Sequence, residues 1–224
     1  LRYSGTTAWE LYFPGGSTTY TFSSSNSGKK QWVHHAIVRN SGTLRWYING
    51  VQVYSVANST NVSDTYIEIG KYSGWYWSGY ISNFRVVKGT AVYTGNFTPP
   101  AAPLTIPGSS TPYSSSANVN TSFSSTSTSL LTLQNRIGEN NNRFVDSSGL
   151  NNLITRSGNA TQGTFSPYAI SGYSGYFTGS ATSYISTPGT SIGNQGQAYT
   201  VQCWIYPTAC LLYTSDAADD TPCV

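Results

Sequence analysis

Residues 31–56 read Gln31-Trp-Val-His-His-Ala-Ile-Val-Arg39, Asn40-Ser-Gly42, Thr43-Leu-Arg-Trp-Tyr-Ile48, Asn49-Gly50 and Val51-Gln-Val-Tyr-Ser-Val56. Successive side chains of a strand point to opposite faces, so Trp32, His34, Ala36 and Val38 share one face of the first run and Val33, His35 and Ile37 the other. Both faces are largely apolar, which predicts an inner strand covered on two sides. The two runs that follow are joined by Asn49-Gly50, the pair that most readily supplies the positive φ angles of a two-residue hairpin.

The pattern extends in both directions. Upstream, residues 8–13 alternate and stop at Pro14-Gly15-Gly16, and 18–22 follow as a second strand. Downstream, strands are expected at 65–69 and 79–87, flanking the aromatic loop Tyr72-Ser-Gly-Trp-Tyr-Trp77. From Phe97-Thr-Pro-Pro100 to about residue 127 the chain is Pro, Ser, Thr and Ala without a sustained period, as in a linker. Strand signals resume at 129–133, 143–145, 152–155, 175–177, 184–186 and 199–206, and Phe165-Ser-Pro-Tyr168 echoes the earlier Phe-Thr-Pro-Pro.

Composition points the same way. Of 224 residues, 14% are aromatic, 38% hydrophobic and 8% charged, with 22 glycines and no methionine. The aromatics argue against disorder, and the scarcity of good helix formers argues against a helical class. No apolar run reaches the roughly 18 residues a membrane span requires. The eleven basic residues are spread along the chain without the clustered stripe of a nucleic-acid binder. Residues 210–219, Cys-Leu-Leu-Tyr-Thr-Ser-Asp-Ala-Ala-Asp, look like a frame translation of a transposase sequencing adapter, so 210–224 is read as non-biological. That reading removes three of the eight acidic residues and moves the formal charge from +3 to +6. It also leaves Cys203 as a lone strand thiol, which is usually a buried small hydrophobe.

Trp32-Val-His34-His-Ala36 with Arg39, Leu44-Arg-Trp-Tyr-Ile-Asn-Gly-Val51, Ile67-Glu-Ile-Gly70 and Gly79-Tyr-Ile-Ser-Asn-Phe-Arg-Val86 together resemble the C-terminal half of a laminin G-like jelly roll of the concanavalin A-like lectin/glucanase superfamily. Ser174-Gly-Tyr-Phe-Thr-Gly179, Tyr184-Ile185 and Thr200-Val-Gln-Cys-Trp-Ile-Tyr-Pro207 resemble the opening strands of a second copy. The organisation expected is therefore 1–104 as the later part of one repeat, 105–127 as linker and 128–209 as the earlier part of the next. The fold class is all-β, an antiparallel jelly-roll sandwich closed by two half-repeats as a pseudo-circular permutant. In that closure the strand around Cys203 and Trp204 shares a core with Trp32 and Trp46.

Function on such a scaffold comes from its loops. Glycoside hydrolysis needs two carboxylates about 5 to 10 Å apart, whereas Glu10 and Glu68 stand alone in their strands. Gly189-Thr-Ser191-Ile-Gly193 matches the nucleophile-elbow pattern without the helix that must follow it. His34 and His35 point to opposite faces and cannot share a ligand. The resemblance implies a possible rim calcium, for which Asp64 is the candidate ligand, although Thr178, Thr182 and Asn83 stand where an Asp is expected. Otherwise no cofactor is expected. The N-x-S/T sequons at Asn58, Asn61, Asn96, Asn120 and Asn159 follow from composition alone. The candidate ligand site is Tyr72, Trp75, Tyr76 and Trp77, whose flat faces suit sugar rings or a protein interface unless Trp75 and Trp77 fold back onto the core.

These readings imply a non-catalytic carbohydrate-binding or adhesive module of a repetitive extracellular, cell-surface or virion protein. Its partners would be glycans or cell-surface polysaccharide, with homo-oligomerisation of the parent possible and neither nucleic acid nor a membrane span involved. The alternatives are a protein-contact repeat of a phage tail fibre or bacterial adhesin and, last, a degenerate glycoside hydrolase.

Overall fold

A computed structural model describes residues 1–4, 8–21, 30–62, 66–106, 117–135, 140–168, 171–189 and 196–208. The expected thiol-bearing tail at 210–224, the Ser191 pattern and Asp64 lie outside these residues. Among the described residues sixteen strands follow in chain order. The first nine are β1 (Arg2–Ser4), β2 (Ala8–Phe13), β3 (Gly16–Thr21), β4 (Val33–Asn40), β5 (Thr43–Ile48), β6 (Val51–Ala57), β7 (Tyr66–Ile69), β8 (Lys71–Tyr72) and β9 (Trp75–Tyr76). The rest are β10 (Ser78–Lys88), β11 (Thr128–Thr132), β12 (Thr155–Ser157), β13 (Thr161–Gly163), β14 (Ser174–Thr178), β15 (Tyr184–Pro188) and β16 (Tyr199–Pro207). Among the described residues no helix is long and apolar enough to cross a membrane.

The large sheet runs β13-β14-β10-β16-β4-β5-β6, and β11 also pairs with β10. Every pairing is antiparallel, as expected of a jelly-roll sandwich. β16 lies between β10 and β4, so strands from the two ends of the chain interleave in one sheet. Opposite stand β1-β2-β3 and β12-β15-β7. The core between the layers is filled by Trp9 and Leu11 of β2, Ile69 of β7 and Ile185 of β15, packed against Val33, Trp46, Ile81, Phe177 and Ile205 of the large sheet. The Asn49-Gly50 hairpin forms as expected: Ile48 pairs with Val51, and the two turn residues have φ of 47° and 80°.

The shared core differs from expectation in one respect. Cys203 packs against the inner core with Trp46, and burial raises its thiol pKa to about 12. Trp204 and Trp32 face the other way, because alternation puts every second residue of β16 on the outer face. Residues 143–145 are not a strand either, although Phe144 is buried. The carboxylate of Asp146 accepts hydrogen bonds from the backbone N–H of Leu131, Ser148 and Asn152 and from the Ser148 hydroxyl and the Asn152 amide. Those bonds satisfy backbone donors that a ladder would otherwise have to satisfy.

β10 carries a bulge between Ser82 and Arg85 where it faces β16. Asn83 takes φ 55° there, a conformation that asparagine tolerates better than most residues. Its amide oxygen accepts from the Leu104 N–H at 2.7 Å and its own N–H reaches Leu133 O at 3.2 Å. One extra residue inverts the alternation, so Phe84 and Val86 pack towards the inner core and Arg85 is aimed at the outer face.

On that outer face, residues 89–106 and 117–127 lie across Ala36, Val38, Tyr47 and Val87 and bury Val92, Tyr93, Phe97 and Phe123 with them. The second of these stretches falls in the segment expected to link the two halves. Tyr93 and Phe97 stack at 3.6 Å and 5°. The tip of the β5–β6 hairpin holds the covering segment, with the Phe97 N–H donating to Gly50 O at 2.9 Å.

Candidate functional site

The aromatic loop forms the two-stranded ribbon β8–β9, turned at Ser73-Gly74 with Ser73 at φ 53°. Tyr72 and Trp75 are direct cross-strand partners and so share one face, while Lys71 and Tyr76 share the other. Tyr72 is the most exposed of the four expected residues at 62%, and Trp75 and Tyr76 are partly exposed. Trp77 has turned inward. Only 8% exposed, its indole stacks at 6.2 Å on Trp9 in the core, and the Trp77 backbone N–H donates to Gly70 O at 2.9 Å to close the ribbon. One ring thus anchors the ribbon that displays the other three.

The ribbon is completed by a residue the sequence reading did not single out. Tyr12, at the exposed end of β2, stacks on Tyr72 with ring centroids 6.0 Å apart and planes at 29°. The β2 pattern explains its position, since Trp9 and Leu11 point inward and Glu10 and Tyr12 outward. The Tyr12 hydroxyl donates to Glu10 Oε2 at 2.9 Å, which fixes the ring beside its partner. The strict alternation of Ala8-Trp-Glu-Leu-Tyr-Phe13 was the available signal for its exposure, but not for the ring it meets.

On the opposite face of the ribbon, Lys71 Nζ bonds Glu68 Oε1 at 3.1 Å and lies 4.5 Å from the centroid of the Tyr184 ring. The hydrogen bond to Glu68 raises the lysine pKa. Glu10 and Glu68 are therefore each engaged by a neighbouring side chain and stand on different sheets. Among the described residues no three of His, Cys, Asp and Glu come together. A calcium ion needs several hard oxygen ligands. Asp146, buried with both oxygens occupied, offers it nothing, so the described carboxylates do not fit the ion.

The two histidines lie on opposite faces, as expected. His35 faces the inner core, where its Nδ1 accepts from Trp46 Nε1 at 3.2 Å and burial depresses its pKa strongly. His34 faces the covered outer side in a buried polar network. With the Gln202 amide oxygen towards Arg85, it accepts from Nε at 2.9 Å and from Nη2 at 2.5 Å, while the amide nitrogen donates to Tyr93 Oη at 2.5 Å and His34 Nε2 at 3.2 Å. Burial lowers Arg85 to about 10 and His34 to about 3, so the arginine stays charged and the histidine neutral at pH 7. Phe123 covers the guanidinium at 5.3 Å. The network is closed by the protein itself and has the character of a structural clamp.

The described residues thus form an antiparallel β-sandwich that carries an aromatic ribbon on its surface. Residues 1–94 match the laminin G-like family model of the concanavalin A-like lectin/glucanases superfamily, so that segment is similar to laminin G-like domains. The match supports a carbohydrate-binding or adhesive module as the general class. No curated protein and no solved structure matches the chain.

Proposed function

We propose that this chain is a non-catalytic carbohydrate-binding module of a repetitive extracellular or virion-surface protein, and that it takes its ligand at the β8–β9 ribbon. The observation that supports this reading most directly is the Tyr12–Tyr72 pair. Two exposed rings, 42% and 62% accessible, stand side by side with Trp75 across the ribbon. Exposed large aromatics keep the free-energy cost of apolar hydration until something covers them, and a flat ring with a polar tip suits the apolar face and equatorial hydroxyls of a pyranose. Binding without chemistry is the natural outcome, because Glu10 orients Tyr12 and Glu68 holds Lys71 instead of flanking a scissile bond.

A glycan array probed with the whole chain tests this. Binding to a defined set of glycans that falls tenfold or more on Tyr72→Ala, with an unchanged circular dichroism spectrum, is the expected result. An array that stays blank, or binding indifferent to Tyr72, Trp75 and Tyr12 replacements, defeats the assignment.

A further inference from the structure

The covering stretches 89–106 and 117–127 lie over one half of the outer face of the large sheet. On the other half, register places Tyr176 of β14 opposite Tyr80 of β10, and Tyr80 opposite Tyr206 of β16. Directly opposed residues of adjacent strands share a face, so three tyrosines form one row across three strands. Centroid separations are 4.8 Å for Tyr80–Tyr176 and 6.0 Å for Tyr80–Tyr206. Trp32, just before β4, prolongs the row at 5.5 Å from Tyr206. Phe165 stands edge-on above it, 4.7 Å from Tyr80 at 63° and 4.9 Å from Tyr206 at 90°. The result is a floor of rings with one wall.

Two features say what this seat takes. The first is hydrogen bonding: among the described residues the hydroxyls of Tyr80, Tyr176 and Tyr206 have no hydrogen-bond partner, whereas those of Tyr93 and Tyr168 are held by Gln202 and Trp204. The row therefore offers stacking faces together with uncommitted donors, which suits a polyhydroxylated ring. The second is charge: the strand segments forming the floor, 78–82, 174–178 and 203–207, contain no Asp, Glu, Lys or Arg. Lys30, whose backbone N–H reaches Pro207 O at 3.1 Å, is a solvated cation at the margin and adds little to anion binding. A second copy of the chain is disfavoured by area. Five rings of about 200 Å² each, mostly covered already by one another, leave on the order of 300 Å² free, against roughly 800 Å² per partner in a stable interface.

We propose that this open half-face is a second glycan seat, distinct from the ribbon, that takes a neutral pyranose chain lying across Tyr176, Tyr80 and Tyr206 against Phe165. The proposal rests on the carbohydrate-binding reading of the chain, but it uses none of the ribbon residues.

The test is affinity electrophoresis of the whole chain in native gels containing galactomannan, mixed-linkage β-glucan or soluble starch, with polygalacturonate as the anionic comparison. Retardation by at least one neutral polymer, reduced fivefold or more by Tyr176→Ala and largely retained by Tyr176→Phe, is expected, with no retardation by polygalacturonate. Tyr72→Ala reports on the ribbon in the same gels. Retardation lost with Tyr72→Ala but untouched by Tyr176→Ala overturns the second seat and leaves the first intact. Retardation by no neutral polymer, or by polygalacturonate alone, also overturns it, while the ribbon reading is judged separately on the array. A dimer in sedimentation velocity that Tyr176→Ala abolishes, without any polymer effect, assigns the face to self-association instead. As a check independent of folding in the variants, Trp32 makes the unmodified chain sensitive, and its fluorescence must shift on titration with mannohexaose or cellohexaose. A flat titration with both contradicts the proposal.

Discussion

The outer face of the large sheet has two halves made from the same strands. Thr200 and Gln202 of β16 lie in the covered half, while Trp204 and Tyr206, two and four residues further along the same side of the same strand, lead into the open half. In the covered half the rings of Tyr93 and Phe97 pack flat upon each other, and a charged arginine is buried with an amide, a phenol and an imidazole around it. In the open half the rings meet edge to face and their hydroxyls stay uncommitted. Strand alternation alone cannot distinguish the halves. What separates them is which other part of the chain lies on top, and a face is free for recognition only where the chain leaves it so.

The largest effect expected from breaking this division is at Gln202. Its amide oxygen is the acceptor for Arg85 Nε and Nη2, and both groups are buried. Gln202→Leu leaves a buried guanidinium without that acceptor, a change that typically costs about 3–5 kcal/mol. The pair Arg85→Met with Gln202→Leu, which removes charge and acceptor together, is expected to recover much of the loss. Urea unfolding midpoints of the single and double variants measure this, and equal midpoints for both would show that the network contributes no coupling.

Acid offers a second way to open the covered half. The folded pKa of His34, about 3, lies below its unfolded value near 6.5. The unfolded chain therefore binds the extra proton in this interval. The contribution of His34 is complete above about pH 6.5 and is lost as pH falls towards 3, at up to about 1.4 kcal/mol per unit. Protonation at Nε2 would set a second donor against the Gln202 amide nitrogen. His35 is shifted in the same direction by its own burial, so the two slopes add. Denaturation midpoints from pH 7 to 4.5 are expected to fall, and His34→Gln to flatten that fall by about half.

A smaller effect is expected at the edge of the cover. A Cβ at Gly50 would sit 1.8 Å from Phe97 O, and the residue has φ of 80°. Gly50→Ala combines a backbone clash with left-handed strain, about 1–3 kcal/mol. Because the Phe97 N–H bonds to Gly50 O, the loss is expected to appear as faster amide exchange across the described residues of 89–127 before it appears in β14 or β16. Exchange that rises uniformly would mean that the cover and the sheet unfold as one unit.

The division was partly legible in the sequence. Alternation along Trp32–Arg39 predicted a strand buried on both faces, and Asn49-Gly50 fixed the hairpin that now latches the cover, since both signals are local. The opposite orientation of His34 and His35 followed from the same period of two. Tyr93, Phe97 and Phe123 as a lid could not be read, because their surroundings are Pro, Ser and Thr with no period, and their burial depends on a surface supplied by β4, β5 and β10. Nor could the row of tyrosines. Gly79-Tyr-Ile and Gly175-Tyr-Phe were visible as similar triplets, but only the β10–β14 and β10–β16 registers bring their rings together. At the ribbon, Tyr72, Trp75 and Tyr76 were readable as a displayed cluster, while the inward turn of Trp77 depended on the Trp9 ring from another sheet.

The smallest expected effect tests the open half from the side of stability. Tyr176 meets Tyr80 at its edge of the row and lies on β14, one strand in from the edge of the large sheet. Tyr176→Thr puts a β-branched residue where a strand favours one and removes a single tilted ring pair, worth about 0.5–1.5 kcal/mol beyond its buried area. The exposed part of the ring contributes nothing to folding, so a net loss below about 1 kcal/mol is expected. Tyr93→Thr changes a ring of the same size in the covered half, where the stack on Phe97 and the bond to Gln202 are both lost, and it should cost several times more. If the two variants unfold at the same denaturant concentration, the Tyr176 ring is as much a part of the core as Tyr93, and the open half is held for stability instead of for a ligand.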